Sequence, residues 1–404
     1  MKNKQAAIGF IFLTLLIDVI GFGIIIPVLP KLLADMKGIG INEASKYGGY
    51  LLFAFAVAQF IFSPFMGNLS DQFGRRPILL ASLLGFSIDY LILAFAPDFW
   101  WFFVGRVIAG ITGASFTTAA AYIADISTPE TRSKNFGMIG AAFGLGFIIG
   151  PFMGGVLGQY DVKLPFYTAA ALSFANFLYG YFILPESLSI ENRRTFDIKR
   201  ANPLGTLQQL IKYKKIVWLL VAYVFLYLGS HAVQSTWNYF TMYRFSWSEA
   251  MVGYSLAIVG ILVAVVQAGL AQKSAHFFGL ERSIVAGFGL YTIGMFLFAF
   301  ATQSWMLFVF LIPYCFGGIA MPNLQSYMVG QVEPNQQGEL QGGLTSLMSV
   351  TTIIGPVMMT SIFYYFTTDS APFHFPGAAF FLGGICMAIS FFITYRVLIA
   401  GRTN

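Results

Sequence analysis

The sequence predicts an all-α membrane protein: twelve transmembrane helices in two six-helix bundles, with both termini in the cytoplasm. Three observations carry this: composition, recurrence of long apolar runs, and the placement of basic residues. Of 404 residues, 57% are hydrophobic and only 10% charged, against about 25% charged in ordinary globular chains. The mean hydropathy is +0.73. The 23 basic and 17 acidic side chains cannot solvate a soluble surface of this size, and a single soluble core stops growing near roughly 250–300 residues. A soluble enzyme, a disordered chain and a disulfide scaffold are excluded, which leaves a protein that crosses the bilayer many times.

The apolar runs follow in order. The first, residues 7–33, comes after Lys2 and Lys4. It is too long for the core of a signal peptide and no small-residue cleavage site follows, so it is the first span. Runs at 46–68, 78–96, 99–125, 135–159 and 165–184 complete the first bundle. The stretch 185–215 is rich in Pro, Asn and charge and reads as a linker, with a short surface helix near 204–214. Runs at 216–243, 249–272, 282–300, 304–330, 340–366 and 376–399 make the second bundle. The chain divides into bundles over 1–189 and 213–404, joined by a cytoplasmic linker over 190–212. None of the runs alternates in the ten-residue pattern of a membrane β-barrel.

With both termini inside, seventeen basic residues, Arg75, Arg76 and Lys273 among them, fall on the cytoplasmic side. Five fall outside: Lys31, Lys37, Lys46, Lys163 and Arg244. This asymmetry sets the orientation and accounts for the net charge of +6 without nucleic acid as a partner. Cys315 and Cys386 lie far apart in apolar runs, without metal-ligand or redox spacing, and read as small core residues.

The two halves match at a constant offset of 205 residues. "IIGP" occurs at Ile148–Pro151 and Ile353–Pro356; Gly113 meets Gly318, Tyr122 meets Tyr327, Pro129 meets Pro334 and Gly137 meets Gly342. A gapless series of this kind indicates duplication. Two six-helix repeats about an axis along the membrane normal are a plan of secondary transporters. No filter-like loop or ring of charges suggests a channel.

Charges inside the runs are few. Asp18 and Asp89 each lie 11 residues into their runs, about 16 Å deep at 1.5 Å per residue. Arg106 lies roughly 10 Å deep in the fourth run. Each costs about 2.5–3.5 kcal/mol to insert, so each requires a partner or a watered cavity. One reading is a proton site, since a poorly solvated carboxyl can load and release protons near neutral pH. The other is an ion pair that only holds helices together. The interiors of runs seven to twelve contain no Asp or Glu, and His231 is their ionisable candidate. Gln234, Asn238, Gln267, Asn323 and Gln325 are candidates to line a substrate cavity on that side, with helix-packing hydrogen bonds as the alternative.

The loop "GNLSDQFGRRPILL", Gly67–Leu80, combines two glycines and a proline with Asp71, Arg75 and Arg76. Gly74 fits its tight turn. Asp71 can pair with Arg75 or sit near the start of the eleventh span, and Asp125 at the end of run four can share Arg75. Such a cluster would latch a cytoplasmic gate; the plainer reading is a solvated loop that enforces topology. The fifth run, "GMIGAAFGLGFIIGPFMGGVLG", spaces Gly146, Gly150, Gly154 and Gly158 by four, with Pro151 beside them, which makes a small-residue stripe for close helix contact.

These segments resemble the major facilitator superfamily. "GNLSDQFGRRPILL" is similar to its signature loop, "GLGFIIGPFMGG" to the helix-five motif of drug:proton antiporters, and "GRVIAGITGA" to the helix-four motif with a coupling arginine. "LLIDVIGFGIIIPVLP", "DQFGRRPILLASLLGFSIDYLILAF", "MVGYSLAIVG" and "GELQGGLTSL" resemble the Gram-negative tetracycline efflux proteins. The resemblance implies the major facilitator fold and a cofactor-free antiporter in the bacterial inner membrane. It would expel an amphipathic drug as protons enter, and act as a monomer. It assigns proton coupling to Asp18, Asp89 and Arg106, a cytoplasmic gate to Asp71, Gly74, Arg75, Arg76 and Asp125, and a cavity role to Gln59. The match departs at Val263 and Tyr291, where those exporters carry a helix-eight histidine and a helix-nine aspartate. Coupling is thereby placed in the N-terminal half, and the drug is left open between a tetracycline and a broader range. Transport of a metabolite or siderophore on the same scaffold is the alternative. No HExxH run and no P-loop occur, so neither metalloprotease chemistry nor ATP drive is supported.

Overall fold

In the computed structural model, residues 2–113, 115–196, 210, 212–213, 216–333 and 336–402 are described, and the regular elements among them are all helical. The N-terminal series is α1 Lys2–Ile25, α2 Leu29–Lys37, α3 Ile41–Phe73, α4 Arg75–Phe95, α5 Phe99–Thr112, α6 Ser115–Ile126, α7 Pro129–Gly158 and α8 Leu164–Ile183. The second series is α9 Val217–Phe245, α10 Glu249–Val265, α11 Ala271–Phe278, α12 Leu280–Ala299, α13 Ser304–Phe316, α14 Ala320–Val329, α15 Gln337–Tyr365 and α16 Ala378–Leu398. The surface helix expected near 204–214 lies largely outside the described residues.

Among the described residues, ten spans are long and apolar enough to cross a membrane, so the chain is a multi-pass membrane protein. Two further candidates are weaker. The apolar α10 has only 17 residues before a π-helical turn over Val266–Leu270. In the 20-residue α8, Asn176 and three tyrosines dilute the hydropathy.

Several expected runs are interrupted for local reasons. The first is two helices, because Pro27 disfavours a helical Ile26 and α1 ends at Ile25. The short α2 then carries the chain to Gly38, whose φ of 64° closes it in the left-handed region. The fourth run ends its first helix at Gly113, and the tenth breaks into a 3-10 turn over Gly317–Ile319. Gly113 and Gly318 are partners at the 205-residue offset.

The chain forms two compact units. The first comprises Met1–Ile39, Tyr50–Asn202 and Ser248–Ala257; the second comprises Gly40–Gly49, Pro203–Trp247 and Ile258–Asn404. Within the first, α1 packs along α7, and α4 packs on α8 and α5. The glycine stripe of α7 permits the first contact. A Cβ on Gly146 would lie 2.6 Å from Val19 Cβ, one on Gly150 would lie 2.8 Å from the Ile20 carbonyl, and one on Gly154 would collide with the Ile24 carbonyl. Gly155 leaves the opposite face of α7 against the start of α10, where its Cβ would lie 3.0 Å from Gly253 Cα. Lys31 reaches the buried Glu249 there at 3.1 Å.

In the second unit α9 packs on α16 and α15, and α12 on α16. Its core is aromatic: Trp237 meets Phe298 edge-on at 5.1 Å, and Phe240 meets Phe380 at 4.9 Å. Gly229 and Gly383 let α9 and α16 touch through backbone. The start of α3 belongs to this unit, with Asn42 Nδ2 donating to the Thr367 carbonyl at 3.2 Å and Lys46 lying 5.6 Å from the Tyr364 ring centroid.

Candidate functional site

Asp89 on α4 is fully buried, and Arg106 on α5 donates to its Oδ2. Gly105, next to that arginine, creates the space: a Cβ there would sit 2.6 Å from Asp89 Oδ1. This second carboxylate oxygen has no hydrogen-bond partner among the described residues. The opposite charge offsets much of the desolvation of both groups. The unpartnered oxygen leaves a position at which a proton can be taken up, and a proton there converts an acceptor into a donor and removes the charge that Arg106 opposes. Asp18 on α1 is also buried, with 5% of its surface exposed. The pairing alternative therefore describes Asp89 and Arg106, while Asp18 lies on a different helix.

The segment expected as a loop over Gly67–Leu80 is helical except at Gly74, where α3 turns into α4, and the two helix ends form a second charged cluster. Arg75 is buried and donates from Nη1 to Asp71 at 2.5 Å and to Ser70 Oγ at 2.7 Å, and from Nε to Asp125 at 3.2 Å. The expected sharing of Arg75 between Asp71 and Asp125 is thus the observed geometry. Gly74 has a φ of 104°, open to glycine but strained for other residues. A side chain there would also strike Glu186. Arg76 donates to the Tyr181 carbonyl at 2.6 Å and lies over that ring.

Glu186 was not singled out in the sequence. Its carboxylate accepts from the backbone N–H groups of Arg75 at 2.8 Å and Arg76 at 3.1 Å, closing the N-terminus of α4. It also accepts from its own neighbours Ser187 and Leu188, both at 3.0 Å. Arg194 N donates to the Asp71 carbonyl and Ser187 Oγ to Asp125, so the chain after α8 folds onto this cluster. Sequence spacing carried no signal for it, because the N–H groups that Glu186 serves begin α4, 111 residues earlier in the chain. A charge at a helix N-terminus contributes about 1 kcal/mol. Glu186→Gln is expected to lower stability by that amount, read as a lower unfolding midpoint of the purified protein in detergent. An unchanged midpoint would remove the capping role.

The cavity candidates divide. Gln59 Nε2 donates to the Gly113 carbonyl at 3.4 Å, where α5 ends. Asn323 is buried and donates to the Ala271 carbonyl at 3.3 Å, which fastens α14 to α11. Asn238 is buried, with Oδ1 accepting from Tyr239 N. His231 is buried, and its ring occupies the space left by Gly355 on α15. Gln234 and Gln267 remain exposed, the latter within the π-helical turn. Gln325 is half-buried and donates to the Tyr223 hydroxyl at 3.5 Å. Val263 is half-buried on α10, and Tyr291 packs edge-on against Tyr314 at 5.3 Å. Among the described residues, no three His, Cys, Asp or Glu side chains are placed to hold a metal ion.

The sequence profile of the Major Facilitator Superfamily matches residues 11–277 and 219–400. The chain belongs to this superfamily. It is 41% identical over 363 residues to the class C tetracycline resistance protein of Escherichia coli, covering 90% of this chain and 91% of that one. It is 38% identical over 348 residues to the class B protein of the same organism, covering 86% of each. Among solved structures, the human organic anion transporter MFSD10 superposes with a TM-score of 0.71 at 25% identity, covering 97% of this chain and 99% of that one. Membership explains the all-helical architecture and the duplicated halves, and makes the molecule a transporter rather than an enzyme. In this major facilitator protein, Asp18, Asp89 and Arg106 all lie in helices of the N-terminal half.

Proposed function

We propose that the chain is a proton-driven antiporter that exports tetracycline-like amphipathic drugs across a bacterial inner membrane. It would do so through twelve spans with both termini in the cytoplasm, as a monomer and without a cofactor. The observation that carries this reading is the buried Asp89–Arg106 pair with one carboxylate oxygen open, together with a buried Asp18 on α1, in a chain similar over most of its length to tetracycline resistance proteins. An ionisable group in such surroundings is expensive and persists where it serves transport.

In this reading Asp89 Oδ1 takes a proton from one side of the membrane, which neutralises the carboxylate and loosens Arg106. The altered charge balance favours the opposite-facing state, in which the proton leaves and the drug has crossed the other way. Asp71, Arg75 and Asp125 hold one end of the helices closed in one state and part in the other. Gln234, Gln267 and Gln325 offer uncharged hydrogen-bonding groups to a polar drug. Everted membrane vesicles containing the chain are expected to accumulate tetracycline when energised, and to lose it on addition of a protonophore. Accumulation that survives the protonophore would overturn the proton drive, and absence of accumulation would overturn the drug class.

A further inference from the structure

Tyr90 follows Asp89 on α4, and 3% of its surface is exposed. Its side chain projects to α1, where the hydroxyl lies 2.7 Å from the point at which a Cβ on Gly21 would stand. Gly21 is three residues after Asp18, and residues three apart on a helix are neighbours on one face. The hydroxyl therefore lies against the turn of α1 that carries Asp18. On its other side, the Arg106 guanidinium carbon lies 5.9 Å from the Tyr90 ring centroid. Asp89, the residue before Tyr90, is the ion-pair partner of that same guanidinium. Among the described residues, the other helices that pack extensively on α4 are α8 and α6. The α8 helix contains no charged residue, and the charged residue of α6, Asp125, is bound to Arg75 at the start of α4.

We infer that Tyr90 is a positioning residue that links the two intramembrane aspartates into one coupled site, its hydroxyl set between Asp18 on α1 and the Asp89–Arg106 pair. A phenol suits this place because it both donates and accepts a hydrogen bond and stays neutral. It can stabilise a carboxylate on one side and turn toward the other when the charge there changes. Gly21 is the complementary feature: any side chain at that position would displace the hydroxyl from α1. A tyrosine placed only for packing would need neither this glycine nor a guanidinium over its ring.

The inference deepens the antiport reading and rests on it for its purpose, but its test needs no drug. In purified protein, the infrared C=O band of protonated Asp89, identified by its loss in Asp89→Asn, is titrated against pH. Asp18→Asn is expected to move the Asp89 midpoint by about one pH unit, a tenfold change in proton affinity. In a Tyr90→Phe background the same substitution is expected to move it by less than roughly a third of that. Gly21→Ala, which keeps the hydroxyl but displaces it, is expected to weaken the coupling in the same way. Tyr90→Phe preserves ring volume, and an unchanged α-helical circular dichroism spectrum confirms that the fold is kept. Equal coupling with and without the hydroxyl, or no coupling in the native protein, would overturn the inference. A protein that shows the coupling but fails to move tetracycline would overturn the transport reading and leave the role of Tyr90 standing.

Discussion

Replacing Arg106 by alanine is expected to destabilise the protein by roughly 3–5 kcal/mol, because it strands a fully buried carboxylate. The loss is to be read as the fall in unfolding free energy of purified protein in detergent. The sign of the second substitution is the informative part. Asp89→Asn in the Arg106→Ala background removes the orphaned charge and is expected to recover much of the stability. Transport is not expected to return with it. A structural ion pair alone would give back both, so recovery of energised drug uptake in the double variant would show that the pair does no more than join α4 to α5.

Asp18→Asn is expected to abolish energised accumulation of tetracycline while leaving the protein level and fold intact. Asn is nearly the same size as Asp and places no charge in the interior, so the change tests ionisation and not packing. Drug-for-drug exchange without net proton movement is expected to survive, since the helices still interconvert. Accumulation at the native rate would remove Asp18 from the coupling site. The cost of an intramembrane carboxyl, about 2.5–3.5 kcal/mol on insertion scales, argues against a purely passive role for it.

Much of the fold was legible because bilayer physics leaves few alternatives. Twenty-residue apolar runs and the offset of 205 between "IIGP" segments were enough to anticipate an all-helical, duplicated chain. Pro27 was visible, yet its consequence, a separate α2, was not, because hydropathy continues across the break. At the site, Asp89 and Arg106 stood out by being charged where charge is costly. Their pairing across α4 and α5 depends on Gly105 making room, which spacing alone does not reveal. Glu186 escaped notice for the opposite reason: in a polar stretch an acid is unremarked, and only the backbone N–H groups of Arg75 and Arg76 reveal its use.

His231 shows how a repeat can mislead. Gly150 and Gly355 are partners at the 205-residue offset, and in the first half Gly150 brings α7 against the backbone of α1. In the second half the corresponding space is filled by the His231 ring. The sequence marked His231 as an ionisable group in an apolar run. The structure places it in the groove that its counterpart leaves to bare backbone. Tyr90 is the reverse case, an ordinary aromatic in a span whose neighbours on α1 and α5 give it significance.

The central claim is that buried carboxyls of the N-terminal half exchange protons for drug. Its most direct measurement uses proteoliposomes containing only the purified chain, with a pH-sensitive dye inside and no other energy source. An imposed tetracycline gradient is expected to drive proton movement in the opposite direction, at a rate abolished when both Asp18→Asn and Asp89→Asn are present. Drug flux with no accompanying proton movement, or proton movement undiminished in the double variant, would contradict it.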